Sequence, residues 1–398
     1  AGVCKNKDFS MSAVMKTYGS SEISFERGEG MYLYTESGDK YLDFCSGIAV
    51  SALGHSHPHL INAIKEQAEK LLHVSNLYKI PGQEKMAKRL VENTFASSVF
   101  FCNSGAEAVE CGIKLARKFH YENGDPDRFR IITCSNSFHG RTLATLSAAK
   151  QEKHMAGFAP MLDGFDQVHI EDIEKLEEVV NESTACILLE PVQGEGGVVV
   201  TSNHYLEKIQ QISKSTGALI FFDEVQCGIA RTGKLFAHEW SSVKPDIMSL
   251  AKGLGGGIPV GACLANEKVS SAMKPGSHGS TFGGNPTSMA AANAVFDIVE
   301  KTTFLKHVQE MGKYFKESLV SLGQETNVFG EVRGMGLLVG IVCNITNTDM
   351  VKKLEDNGLL TVAAGDNVVR FLPPLITEKH HVDEAVSILK DVCRQLST

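Results

Sequence analysis

No stretch of this 398-residue chain is apolar for long enough to cross a bilayer, and Ala1 to Ser12 lack the apolar centre of a secretory signal. Both absences point to a cytoplasmic protein with no membrane partner; an organellar matrix after loss of a leader is left open. Excess positive charge is missing too. Lys and Arg number 39 against 47 Asp and Glu, for a net charge of −8, and the cations are dispersed. This excludes the basic footprint of a nucleic-acid binder and leaves anionic substrates to be met by individual arginines. None of the ten cysteines stands in paired C-x-x-C spacing. Scattered at positions such as Cys4, Cys45, Cys102, Cys111 and Cys134, several inside apolar runs, they read as reduced core thiols. Internal repeats, low-complexity tracts and any Cys or carboxylate constellation for a metal are absent as well. His55, His57 and His59 come closest to a metal set, but Pro58 opens a helical pattern through Leu60, Ile64 and Leu71, so a structural turn is expected and no metal.

What the chain does have is an apolar fraction of 43%, enough for a large core and more than one domain. Strand-like runs at 98–102, 130–134, 185–191, 218–223, 247–251 and 260–265 alternate with helical patterns. That alternation predicts an α/β fold whose large domain carries a mostly parallel sheet. After Asn285 a long helical run reaches Glu300; strands at 337–343 and 368–372 and a last helix over 380–396 follow, predicting a smaller α+β domain.

Three turns within this pattern carry chemistry. The apolar run Ile247 to Ala251 delivers Lys252 into the glycine-rich Gly253–Gly257, surroundings that favour a neutral, nucleophilic amine of the kind that condenses with a carbonyl. A second run, Ala218 to Phe222, ends in Asp223, a buried strand-end acid that needs a cation or hydrogen bonds. The third, Val99 to Cys102, breaks into Asn103-Ser104-Gly105-Ala106 and continues as a helix, so the free N–H groups of Ser104, Gly105 and Ala106 offer a seat for a phosphate. Each alone has a plainer reading: a lysine snorkelling to water, a structural acid, an N-cap. Together they describe a clamp for pyridoxal phosphate, with Lys252 on its aldehyde carbon and Asp223 on its ring nitrogen.

These segments resemble the class III (ornithine/acetylornithine-type) pyridoxal-phosphate aminotransferases, from about Val14 to near the C-terminus. The resemblance extends to Val14–Tyr18, Tyr41–Phe44, Gly47–His55, Phe138-His139-Gly140-Arg141-Thr142, Glu190–Gly197 and His278–Pro286. It implies a pyridoxal-phosphate transferase of fold type I. It also implies an N-terminal arm over 1–55 that joins the small domain, a cofactor-binding large domain over 56–284 and a C-terminal small domain over 285–398. Ala363–Phe371 and His73–Tyr78 are similar to members that act on acetylornithine. The implied reaction moves the δ-amino group of N2-acetyl-L-ornithine to 2-oxoglutarate, a step of arginine biosynthesis; succinylornithine, N-succinyl-diaminopimelate and ornithine stay open as donors.

The resemblance also assigns roles. Lys252 is the catalytic amine, and Ser104, Gly105, Ala106, Phe138, Asp223, Val225, Gln226 and Thr281 contact the cofactor, Phe138 by stacking and Gln226 at its 3-oxygen. Thr281 reaches the phosphate of a neighbouring subunit, which implies a homodimer with shared active sites. Arg141 takes the donor's α-carboxylate and Arg370 that of glutamate, as a planar guanidinium grips a carboxylate in two parallel hydrogen bonds. Glu195 is a gate that pairs with Arg370 while the ω-amine donor is bound, and Ser280 is a further substrate contact.

Overall fold

The computed structural model describes residues 13–19 and 21–396; Cys4 and the rest of the 1–12 segment read above lie outside the described residues. The fold starts with three short antiparallel strands, β1 (Phe25–Glu29), β2 (Tyr32–Thr35) and β3 (Lys40–Asp43). Next come β4 (Ser98–Cys102), β5 (Arg130–Cys134), β6 (Phe165–Val168) and β7 (Thr184–Leu189), then the ribbon β8 (Val192–Gln193) and β9 (Val199–Val200), then β10 (Leu219–Asp223), β11 (Ile247–Leu250) and β12 (Gly261–Ala265). Seven of these form the central sheet in the order β4-β12-β11-β10-β7-β5-β6. Every residue of β7, β10, β11 and β12 is buried, so these strands are mostly apolar and show no alternation.

The sheet is mostly parallel, as expected: β11, β10, β7, β5 and β6 pair in one direction. Two features depart from the sequence reading. β12 runs against both of its neighbours, β11 and β4, a direction that a short apolar run does not encode. β6 went unread because only Phe165 and Val168 of its four residues are buried, with Asp166 and Gln167 between them.

The C-terminal segment adds an antiparallel sheet of order β13-β14-β17-β16, from β13 (Phe329–Met335), β14 (Leu338–Cys343), β16 (Val362–Ala364) and β17 (Val368–Phe371). The short β15 (Leu359–Leu360) pairs in parallel with β3, so the first strands of the chain and its last third share one four-stranded sheet. The helix Pro286–Val299, read from sequence with the small domain, packs instead on the helices Pro58–Lys70 and Pro81–Glu92 and shares a core with Met248 and Leu250 of β11. Ala291, Ala292, Ala294, Val295, Phe296 and Val299 are buried, on nearly every face, which suits a helix inside the larger body.

The histidine triplet does form a turn. The helix begins at Pro58, while His55 pairs with Asp43 at 2.7 Å and His59 with Asp297 at 2.9 Å. Among the described residues no group of three or more His, Cys, Asp or Glu side chains is arranged to hold a metal, and no helix is long and apolar enough to cross a membrane.

Candidate active site

The carboxyl ends of β4, β5, β7, β10 and β11 open into one cavity of about 450 Å³, the place where parallel α/β sheets expose backbone and side chains to a ligand. Asn103 to Ala106, Phe138 to Arg141, Glu190, Asp223, Val225, Gln226 and Lys252 line it, as does Glu195 from the loop between β8 and β9. Thus nearly all the residues picked from sequence are brought together. Ser280, Thr281 and Arg370 are not among the lining residues. The Ser280 hydroxyl is held outside the cavity by Asn103 Nδ2 and the Gly283 N–H, at 3.2 and 3.0 Å, and Thr281 is exposed.

Lys252 follows β11 in a short 3-10 turn at a φ of 44°, a left-handed conformation that costs a non-glycine residue on the order of 1 kcal/mol. Burial in the cavity disfavours its charge and lowers its basicity, and Arg370 adds to this against the opposing pull of Glu195, Glu190 and Asp223.

Asp223 closes β10 at 3% exposure. Oδ1 accepts from the Val225 N–H at 3.0 Å and from the Ser249 hydroxyl at 3.2 Å, and Oδ2 lies 2.7 Å from His139 Nδ1. A carboxylate has roughly four lone-pair directions, so one is left for a cationic partner in the cavity. Burial works against a charge on His139, but the Asp223 hydrogen bond and the charges of Asp223 and Glu190 outweigh it and raise the imidazole's basicity. Glu190 is the third member of this group. Burial raises its carboxyl well above the usual range, against His139 and the N–H groups of Phe138 and Gly194. Neither His139 nor Glu190 was singled out from sequence. Glu190 ends the apolar β7 run just as Asp223 ends β10, and that signal was there to be used.

At the N-terminus of the helix Gly105–Glu122, the Ser104 side chain caps the Glu107 N–H and donates to Glu107 Oε2 at 2.7 Å. Its hydroxyl is therefore spent inside the helix, and the backbone donors of Gly105 and Ala106 are what the cradle offers. Only glycine fits at 105, since a Cβ there would come within 2.6 Å of Val225 Cγ1.

Arg370, on β17, is fully buried and donates to Glu195 Oε1 at 2.9 Å and to Gln226 Oε1 at 2.7 Å. Gln226 thereby has its amide oxygen occupied and its NH₂ free. That NH₂ suits an oxygen acceptor. Gly194 leaves room for this arrangement, because a Cβ on it would meet Gln226 Oε1 at 1.9 Å. Arg141 lies over the Phe138 ring at 5.6 Å, is exposed, and has no carboxylate partner.

This donor set fits pyridoxal 5′-phosphate. A backbone cradle that one Cβ would fill suits the phosphate, a carboxylate with one free acceptor direction suits the ring nitrogen, an amide N–H suits the ring oxygen, and an amine of lowered basicity suits the aldehyde.

Comparisons with known proteins agree. The family model described as aminotransferase class-III matches residues 14–393. The acetylornithine aminotransferase of Brucella melitensis is 52% identical over 382 residues, covering 96% of this chain and 95% of that protein. That of Aquifex aeolicus is 48% identical, over 96% of this chain and all of that protein. Among solved structures, the N-acetylornithine aminotransferase of Stenotrophomonas maltophilia superimposes with a TM-score of 0.84 at 34% identity, covering 96% of this chain and 98% of that one. The ornithine aminotransferase of Toxoplasma gondii gives 0.93 at 31% identity, covering 97% and 93%.

Proposed function

The chain belongs to the class-III aminotransferases, and on that premise we propose that it moves the δ-amino group of N2-acetyl-L-ornithine to 2-oxoglutarate, giving N-acetylglutamate 5-semialdehyde and L-glutamate. Its cofactor is pyridoxal 5′-phosphate. When bound, the cofactor supplies an aldehyde that accepts the amino group and a ring that delocalises the electron pair left by proton removal.

The side chains then divide the work. Lys252 Nζ, of lowered basicity, takes the proton from the substrate's δ-carbon and returns it on the far side of the transfer. Asp223 keeps a negative charge against the ring nitrogen, and Ser249, the Val225 N–H and His139 fix its orientation. Gly105 and Ala106 present N–H groups to the phosphate, Phe138 and Val225 bound the ring's slot, and the Gln226 NH₂ serves the 3-oxygen. Thr281, exposed on this chain, serves the phosphate in a second copy.

Arg141 carries the choice of donor. Among the described residues it is the only arginine lining the cavity, and it is unpaired, while Arg370 is held by Glu195. Acetylornithine brings one carboxylate and an uncharged amide, matching one open guanidinium. Ornithine would place an α-ammonium beside that cation, and a succinyl donor would bring a second carboxylate. In the return half-reaction Glu195 releases Arg370, and 2-oxoglutarate spans the two arginines.

A homodimer follows from the same reading. Leu77, Tyr78 and Phe282 are 88%, 67% and 59% exposed, and Asn76 ties their segments together by donating to the carbonyls of Ser280 and Gly283. Three large apolar side chains left in water beside Thr281 support a subunit contact there.

The likeness to an ornithine aminotransferase structure favours ornithine as the second reading. A panel of the four donors, with 2-oxoglutarate as acceptor and glutamate as the measured product, decides between them. Acetylornithine is expected to give the highest kcat/KM; an ornithine value above it would overturn the assignment of Arg141 to an uncharged acyl donor.

A further inference from the structure

A second cavity, of about 300 Å³, lies between β4, β12 and the helix Gly105–Glu122 and is used by nothing described above. Phe100, Cys111, Leu115, Cys263, Lys274 and His278 are among its walls. Cys111 is on the helix Gly105–Glu122, two turns from the phosphate cradle, and Cys263 is at the middle of β12. Both thiols are free and buried, yet both reach the cavity.

The surroundings of the two sulfurs differ. Lys114 Nζ lies 2.8 Å from His278 Nδ1 and 3.3 Å from the Ser277 carbonyl. An ammonium can only donate, so Nδ1 accepts and the imidazole proton sits on Nε2. His278 thus turns an N–H towards Cys111, and its ring is kept in place by Phe100 at a centroid distance of 4.6 Å. The Cys263 thiol beside it is the largest influence lowering the pKa of Cys111, against the opposing effect of burial; His278 and the charge of Lys114 act the same way. Cys263 is pushed in the opposite direction, first by Cys111 and then by burial. Among the other described cysteines, Cys45, Cys102, Cys134, Cys186 and Cys227 are all raised, with burial the leading cause. Among the described residues, Cys111 and Cys263 thus share the wall of one cavity with His278, and their acidities are pushed in opposite directions.

We propose that Cys111 and Cys263 form a redox-active dithiol in which Cys111 attacks a peroxide and Cys263 resolves the product into a disulfide. The Cys111 thiolate displaces on the peroxide's outer oxygen, forming S–O and breaking O–O, and the leaving oxygen is protonated to an alcohol or water. The Cys263 sulfur then attacks the sulfenic sulfur, forming S–S and breaking S–O, and the expelled hydroxide leaves as water with the Cys263 proton. Two electrons pass from the sulfurs to one peroxide. The bond joins the cradle helix to β12. It also replaces the thiol that His278 stands beside, three residues before Thr281 in the sequence.

The test treats the holoenzyme with hydrogen peroxide and maps its cysteine peptides by mass spectrometry. The expected result is a peptide pair joined through Cys111 and Cys263, short of two hydrogens and separated by dithiothreitol. In Cys263→Ser, Cys111 should stop at the sulfenic acid and be trapped by dimedone; in Cys111→Ser, Cys263 should stay reduced. Alkylation by iodoacetamide at neutral pH should reach Cys111 roughly tenfold faster than Cys45, although Cys45 is the more exposed. Oxidation or alkylation of Cys45 ahead of Cys111, or a wild-type protein whose Cys111 and Cys263 stay reduced while other thiols oxidise, overturns the proposal. The wild-type map needs no variant to fold, and none of its outcomes depends on which amino donor the enzyme prefers.

Discussion

Lys252 is held at a left-handed φ of 44° in a cavity whose burial lowers its basicity, so in the cofactor-free protein it is strained and its charge is poorly solvated. The stability consequence has a definite sign. With the folded value below the ordinary 10.5, the unfolded chain binds the extra proton between the two values, so stability rises with pH across that window and the cost is largest below it. Lys252→Met should therefore abolish turnover yet raise the thermal midpoint of the cofactor-free protein at neutral pH by roughly 1–3 °C, with the gap closing as pH climbs towards 10.5. Thermal melts of both proteins across that range check it; a variant that melts lower at neutral pH would mean that the amine is a net stabiliser. At this scale the sequence was readable where a residue ends an apolar run. Lys252 and Asp223 both do, and both face the cavity. His139 was not readable in the same way, because its meaning comes from a carboxylate 84 positions away, a pairing that no local pattern announces.

Elements set these residues at hydrogen-bonding distance. The helix Gly105–Glu122 begins where β4 ends, its first turn capped by Ser104 and its cradle closed over by Val225 from the β10 turn. Adding a methyl group at Gly105 forces Val225 and the loop after Asp223 outward, at a cost of about 1–3 kcal/mol. Because Asp223 accepts from the Val225 N–H, the displacement reaches both ends of the cofactor site. Gly105→Ala is thus expected to weaken pyridoxal phosphate binding by about tenfold or more while leaving the fold's circular dichroism unchanged; equilibrium dialysis of the cofactor measures it, and unaltered affinity would show that the phosphate is not seated at this turn. The strand–turn–helix unit was legible because β4 is apolar, the turn is Asn-Ser-Gly and the helix repeats correctly. Strand direction was not legible. β12 resembles the parallel strands of the sheet in composition, yet it runs against β11, to which the Lys252 turn connects it, and against β4.

At the scale of the whole molecule, the Thr281 segment lies outside the cavity of its own chain. Thr281 is exposed and does not line the cavity, and Leu77, Tyr78 and Phe282 are exposed as well. If two copies share their sites, each site takes Lys252 from one subunit and Thr281 from the other. Two inactive variants, Lys252→Ala and Thr281→Glu, then complement each other. In a mixed dimer one site receives both substitutions and the other receives neither. Random pairing of equal amounts makes half the dimers mixed, each with one intact site, so activity should return to roughly a quarter of the wild-type level. Refolding the two variants together and assaying glutamate formation tests this against each variant refolded alone. A site completed within a single chain cannot be restored by mixing, so a mixture no more active than its components would place Thr281 outside the neighbouring site and leave the exposed apolar face without a catalytic purpose.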